Sequence, residues 1–117
     1  MPKKTIFIVE DDPDICELMQ MLVEGQGFKV KTFSESRNVE KAVSTLLPAM
    51  VIMDLWVPGI GGEQLIRNLK KKKETKNVPI ILISANNSLA KIAKRSGADG
   101  FLPKPFNIKD LEALLKF

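Results

Sequence analysis

Apolar positions along this chain follow two alternating rhythms. Thr5-Ile-Phe-Ile-Val9, Phe28 to Phe33, Met50-Val-Ile-Met53 and Val78-Pro-Ile-Ile-Leu-Ile-Ser84 are short runs rich in strand-forming residues. Runs of this length bounded by turn residues predict strands buried on both faces. Between them the apolar residues recur at helical spacing: Ile15, Leu18, Met19, Leu22 and Val23, then Val39, Ala42, Val43, Leu46 and Leu47. Leu65, Ile66 and Leu69 mark a third helix from Gly62 to about Lys72, and Ile108, Leu111, Leu114 and Leu115 a last one. A short helix from about Ser88 to Ser96 and a brief strand, Gly100-Phe-Leu102, complete the series.

The punctuation agrees with the rhythm. Pro13 opens the first helix, and Gly25 and Gly27 stop it. Ser34 or Ser36 is placed to cap the second helix, and Pro48 closes it. Pro58, Gly59, Gly61 and Gly62 force a loop after the third strand; Gly97 ends the fourth helix and Asn107 caps the last. Five strands therefore alternate with five helices, which predicts an α/β fold with a parallel sheet covered on both sides. Right-handed crossovers place helices on both sides only if the strand order reverses somewhere. The 117 residues suit one domain, spanning 1–117, without internal repeat, linker or low-complexity segment.

The polar residues that interrupt this pattern fall at strand ends. Strand one runs into Asp11 and Asp12, strand three into Asp54, strand four into Ser84, and strand five leads to Lys104. Ligand sites of open parallel sheets lie at this C-terminal edge. Carboxylates converging on one crevice repel one another, and a divalent cation removes the conflict. Hard oxygen ligands suit Mg²⁺. Lys104 and the Ser84 hydroxyl add a point charge and a donor for an anion beside the metal. A carboxylate, Mg²⁺, a lysine and a hydroxyl together describe phosphoryl transfer onto Asp54. The chain has no histidine, so the phosphoryl group is expected from another molecule.

Composition narrows the alternatives. With 44% hydrophobic residues the chain builds a core without staples, and its single cysteine, Cys16, excludes an internal disulfide. No apolar run approaches the roughly 20 residues of a membrane helix, and no signal peptide is visible. A cytoplasmic protein is expected. The net charge of +4 is uneven: residues 1–27 carry six acids against two lysines, and the remainder sixteen bases against eight acids. The Lys70–Lys73 run reads as a solvated helix end that favours the macrodipole, so direct nucleic-acid binding is not expected.

Across its whole length the chain resembles response-regulator receiver domains. The resemblance rests on Asp11–Asp12 after strand one, Asp54 followed by Pro58 and Gly62, Ser84-Ala85, and Lys104-Pro105. It implies a flavodoxin-like, doubly wound sandwich with strand order 2-1-3-4-5. It also implies that Asp54 accepts a phosphoryl group from a histidine kinase or histidine phosphotransfer protein. The metal would be held by Asp12, Asp54 and a backbone carbonyl, that of Trp56, with Asp11 acting mainly through water. Ser84, Ala85 and Lys104 would bind the phosphoryl group, and the Lys104–Pro105 bond would be cis. Phe101 matches an aromatic switch position that moves with Ser84 and changes the face made by the fourth helix, fifth strand and fifth helix. That face would control a downstream partner, an output domain or a phosphorylation-dependent dimer.

Trp56 and Asn86 stand at positions that tune acyl-phosphate lifetime in the family; Trp56 either shields the acyl phosphate or lies on the surface toward a partner. Gly61 and Val57 depart from the family's usual acid and methionine. Three other readings compete. A flavin carrier would need a phosphate cradle where Glu10-Asp11-Asp12 repels one. A haloacid-dehalogenase-type phosphatase needs an acid where Trp56 stands. A receiver-like interaction module that is never phosphorylated has no need of the acids and the lysine. A free-standing regulator and the receiver of a longer protein both fit the sequence.

Overall fold

A computed structural model describes residues 3–116. Five strands, β1 (Thr5–Val9), β2 (Lys29–Phe33), β3 (Met50–Asp54), β4 (Ile80–Ser84) and β5 (Gly100–Pro103), form one parallel sheet in the order β2-β1-β3-β4-β5. They alternate with α1 (Pro13–Gly25), α2 (Val39–Leu46), α3 (Gly62–Lys71), α4 (Leu89–Ser96) and α5 (Ile108–Leu114). The order reverses at β1, as right-handed crossovers onto both faces require. The pleat sorts side chains to two cores. Phe7, Val9, Val51, Met53, Ile80 and Leu82 pack under α2, α3 and α4. Ile6, Ile8, Met50, Ile52, Ile81 and Ile83 pack under α1 and α5.

The central strands β3 and β4 are buried at every position, which explains their unbroken apolar sequence. Strand β2 is different. It is an edge strand, and Lys29, Lys31 and Thr32 are exposed, so its apolar residues alternate with polar ones. It also starts one residue later than the apolar run suggests, at Lys29, and β4 starts at Ile80 because Pro79 precedes it. No helix among the described residues is long and apolar enough to cross a membrane.

Some helix ends follow the expected local chemistry and others do not. Asn107 caps α5 by accepting from the Asp110 N–H at 2.8 Å, and Gly97 ends α4 at φ 91°. Neither Ser34 nor Ser36 caps α2: its N-cap is Asn38, which makes no side-chain cap bond. At the other end of α2, Leu47 takes the left-handed conformation usual for glycine, at φ 45°.

Candidate phosphoacceptor site

The register of the sheet brings the strand ends to one rim. Val9 pairs with Met53, Asp54 with Ile83, and Ser84 with Pro103. Residues at or just past the ends of β1, β3, β4 and β5 therefore share one crevice.

At its centre Lys104 joins two carboxylates. Its Nζ lies 2.6 Å from Asp54 Oδ2 and 2.8 Å from Glu10 Oε1. All three side chains are largely withdrawn from solvent: Glu10 is 1% exposed, Asp54 10% and Lys104 19%. Burial pushes the Glu10 carboxyl above its ordinary value, against the opposing pull of Lys104. Burial also pulls Lys104 down, but the hydrogen bonds and charges of Asp54 and Glu10 outweigh it and leave the ammonium above its ordinary range. The two acids thus hold the lysine charged in a crevice that desolvates it.

Asp11 completes the acidic group. Ligand oxygens of Glu10, Asp11 and Asp54 all lie within 4.8 Å of one another. Three carboxylates against one lysine leave negative charge uncompensated, and an all-oxygen set this close suits a small hard cation such as Mg²⁺. Asp12 is not brought into this group. Its Oδ1 accepts from the N–H groups of Asp14 at 2.9 Å and Ile15 at 3.3 Å, capping α1. The acid that sequence reasoning passed over is Glu10. Its N–H still bonds the Phe33 carbonyl of β2 at 2.9 Å, so the backbone remains extended and its side chain continues the Ile6–Ile8 face. Two signals for this were present in the sequence: that alternation, and an aspartate directly before Pro13, the usual place of an N-cap.

The loop after β3 is tightly wound. The Trp56 N–H folds back onto Asp54 Oδ1 at 3.0 Å, occupying the oxygen that Lys104 leaves free. A Cβ added at Gly62 would sit 2.9 Å from the Leu55 carbonyl oxygen, so only glycine lets α3 start this close to the acceptor strand. The Trp56 ring is 68% exposed and borders a hollow shared with Ile92 and Arg95 on the α4 side.

The remaining positions lie on the same rim. Ser84 is buried, its hydroxyl oxygen accepts from the Asn86 N–H at 3.2 Å, and its carbonyl accepts from the Lys104 N–H at 2.9 Å. Ala85 is exposed beside it. Asn86 is turned to its own loop, where Oδ1 accepts from the Ser88 N–H at 2.7 Å. Phe101 on β5 faces outward, 43% exposed. The Lys104–Pro105 bond is cis.

Known proteins match this arrangement. The sequence matches the response regulator receiver domain family over residues 6–116. It is 32% identical to the phosphate regulon transcriptional regulatory protein PhoB of Rhizobium meliloti, over 99% of this chain and 51% of that protein. The chain thus spans about half the length of this curated relative. A putative response regulator from Chloroflexus aurantiacus superimposes with a TM-score of 0.91 at 26% identity, covering 98% of this chain and 96% of that one. The receiver domain of the sensor histidine kinase PA1611 from Pseudomonas aeruginosa shares the fold, with a TM-score of 0.89 at 22% identity over 98% and 96% of the two chains. That structure is described with a magnesium ion coordinated in its active-site cleft. With its five-stranded parallel sheet, its acidic rim and a family match over nearly every residue, this chain belongs to the response regulator receiver domain family.

Proposed function

We propose that Asp54 accepts a phosphoryl group from a histidine kinase or histidine phosphotransfer protein and that the chain works as a phosphorylation-driven switch. The observation that carries this is the convergence of Glu10, Asp11 and Asp54 around a single lysine. In the transfer, the phosphorus–nitrogen bond of the donor phosphohistidine breaks as an Asp54 oxygen bonds phosphorus, and the imidazole leaves with the electron pair. Asp54 Oδ2 is the oxygen paired with Lys104, and Oδ1 is held by the Trp56 N–H, so the carboxylate is oriented before a donor arrives. Lys104 then has a phosphoryl oxygen to pair with in place of a carboxylate oxygen.

The donor set fits Mg²⁺, with Glu10, Asp11 and Asp54 as its carboxylates, and the family resemblance adds the Trp56 backbone carbonyl as a further ligand. Asp12 is left to its helix cap. Bound there, the ion supplies positive charge against the clustered carboxylates and the incoming phosphoryl oxygens. Ser84 and the Ala85 backbone flank the position of the phosphoryl group, and the outward Phe101 ring turns inward as the Ser84 hydroxyl moves toward it. Moving the face of α4, β5 and α5 from 1:99 to 99:1 takes about 5.5 kcal/mol of differential interaction. The exposed Trp56 ring and Asn86 border the site and set how long the acyl phosphate survives. A partner or an attached output domain reads the altered face.

Trp56 is the only tryptophan and reports on the site. Mg²⁺ titration followed by beryllofluoride, an acyl-phosphate mimic, is expected to give two successive saturable changes in its fluorescence. The second is lost in Asp54→Asn. Silence in the wild-type protein, with no phosphorylated Asp54 by mass spectrometry after incubation with a donor, would hand the lead to the interaction-only module.

A further inference from the structure

The loop that follows Asp54 is held from outside by one residue of the β2–α2 connection. Ser36 is fully buried, yet it caps no helix. Its hydroxyl donates to the Ile60 carbonyl at 2.5 Å and lies 3.2 Å from the Pro58 carbonyl. Its N–H donates to the same Pro58 carbonyl at 2.9 Å. A buried hydroxyl is costly unless paired, and here both oxygens within its reach belong to a single loop.

Gly59 lies between those two carbonyls at φ +109°. A Cβ there would come within 2.7 Å of Ser36 Oγ and 3.3 Å of the backbone nitrogens of Ser36 and Arg37. The two loops therefore touch backbone to backbone, with no room for a side chain. Loop 55–62 is pinned twice, at Gly62 against Leu55 and at Pro58 to Ile60 against Ser36. Trp56, whose N–H holds Asp54 Oδ1, lies within the pinned stretch.

We infer that Ser36 is a positioning residue for the acceptor: its buried hydroxyl fixes residues 58–60 and, through them, the Trp56 backbone beside Asp54. The inference rests on Asp54 being the phosphoacceptor. Ser36 touches neither the acidic group nor Lys104, so it acts only through the loop.

The test compares the wild-type full chain with Ser36→Ala and Ser36→Cys. It reads melting temperature without metal, the Mg²⁺ dissociation constant by Trp56 fluorescence, and the half-life of phosphorylated Asp54 after loading with a small acyl-phosphate donor. Groups bonded directly to metal ligands typically matter by tenfold or more, and Ser36 acts one step further out through residues 58–60, so Ser36→Ala is expected to weaken Mg²⁺ binding roughly threefold and to change the half-life with it. Ser36→Cys keeps nearly the same volume with a weaker donor and falls between the two; it carries the same readouts if the alanine variant does not fold. A lowered melting temperature with Mg²⁺ affinity and half-life both unchanged means that Ser36 only packs, and overturns the inference. A wild-type protein that answers neither Mg²⁺ nor beryllofluoride overturns the acceptor reading first, and the positioning role falls with it.

Discussion

Each end of the sheet holds a lysine pressed against an aspartate, and the two ends use the pair differently. At the end opposite the rim, Lys70 Nζ sits 2.6 Å from Asp99 Oδ2 and also donates to the carbonyls of Val78 at 2.9 Å and Lys76 at 3.1 Å. Asp99 Oδ2 in turn accepts from the Ile80 N–H at 2.8 Å. One charge meets one charge, and all three ammonium protons are used. This staple ties the end of α3 to the start of β4 and the turn before β5. At the rim, Lys104 faces Glu10 and Asp54 with Asp11 close by, and the charges do not cancel. A balanced pair closes a structure, whereas an excess of clustered carboxylates favours a cation beside them.

The difference is tested most strongly by removing each lysine. Lys104→Met leaves buried carboxylates uncompensated, so metal-free stability is expected to fall by about 3 kcal/mol. Saturating Mg²⁺ restores much of it, as chemical denaturation with and without the ion would show. Lys70→Met is expected to cost about 1–2 kcal/mol, since Asp99 is half exposed and recovers water. Mg²⁺ does nothing for that variant. If the ion rescued both equally, the two ends would not differ in the way their charges indicate.

Glu10→Gln and Asp12→Ala sharpen the rim itself. Because burial already disfavours the ionised Glu10, its amide is expected to leave the metal-free melting temperature no lower. Mg²⁺ affinity falls roughly tenfold, about 1.4 kcal/mol. Asp12→Ala is expected to do the reverse, losing about 1 kcal/mol of helix capping with Mg²⁺ binding nearly unchanged. Isothermal titration on both variants would return Asp12 to the metal if it were the one that lost affinity.

The smallest effect lies in the acid limb of stability. Hydrogen bonding to Arg95 in α4, assisted by the charge of Arg67, holds Glu63 of α3 below its ordinary value of 4.5. Its folded pKa is lowered, so its contribution is present above that value and is lost as pH falls through the folded one. Glu10 has the opposite sign: its contribution is present below 4.5 and is lost as pH rises from there through its raised folded value. Arg95→Ala is therefore expected to make stability fall less steeply below pH 4.5, a small change because the pair is exposed. An unaltered acid limb would show that the clamp between α3 and α4 contributes nothing in solution.

The amino-acid sequence by itself determined the alternation of elements, the parallel sheet and the edge at which its polar strand ends gather. Unbroken apolar runs ending in Asp54 or Ser84 admit few other folds, and terminators such as Gly97 and the Asn107 cap need no distant partner to act. What it left open depends on the path of the backbone. Three acids in a row after β1 are chemically alike; alternation and the Asp–Pro helix start mark Glu10 as inward and Asp12 as a cap, but only the folded sheet brings Glu10 against Lys104 and Asp54. Ser36 looked like a helix cap because capping is a local habit of serine, whereas its partners lie 22 and 24 residues away. Within the lysine run, tertiary contacts alone decide that Lys70 staples Asp99 and Lys72 pairs with Glu40. Periodicity and turn chemistry are properties of neighbours in sequence. Charge balance and loop-to-loop contact arise only when distant segments meet.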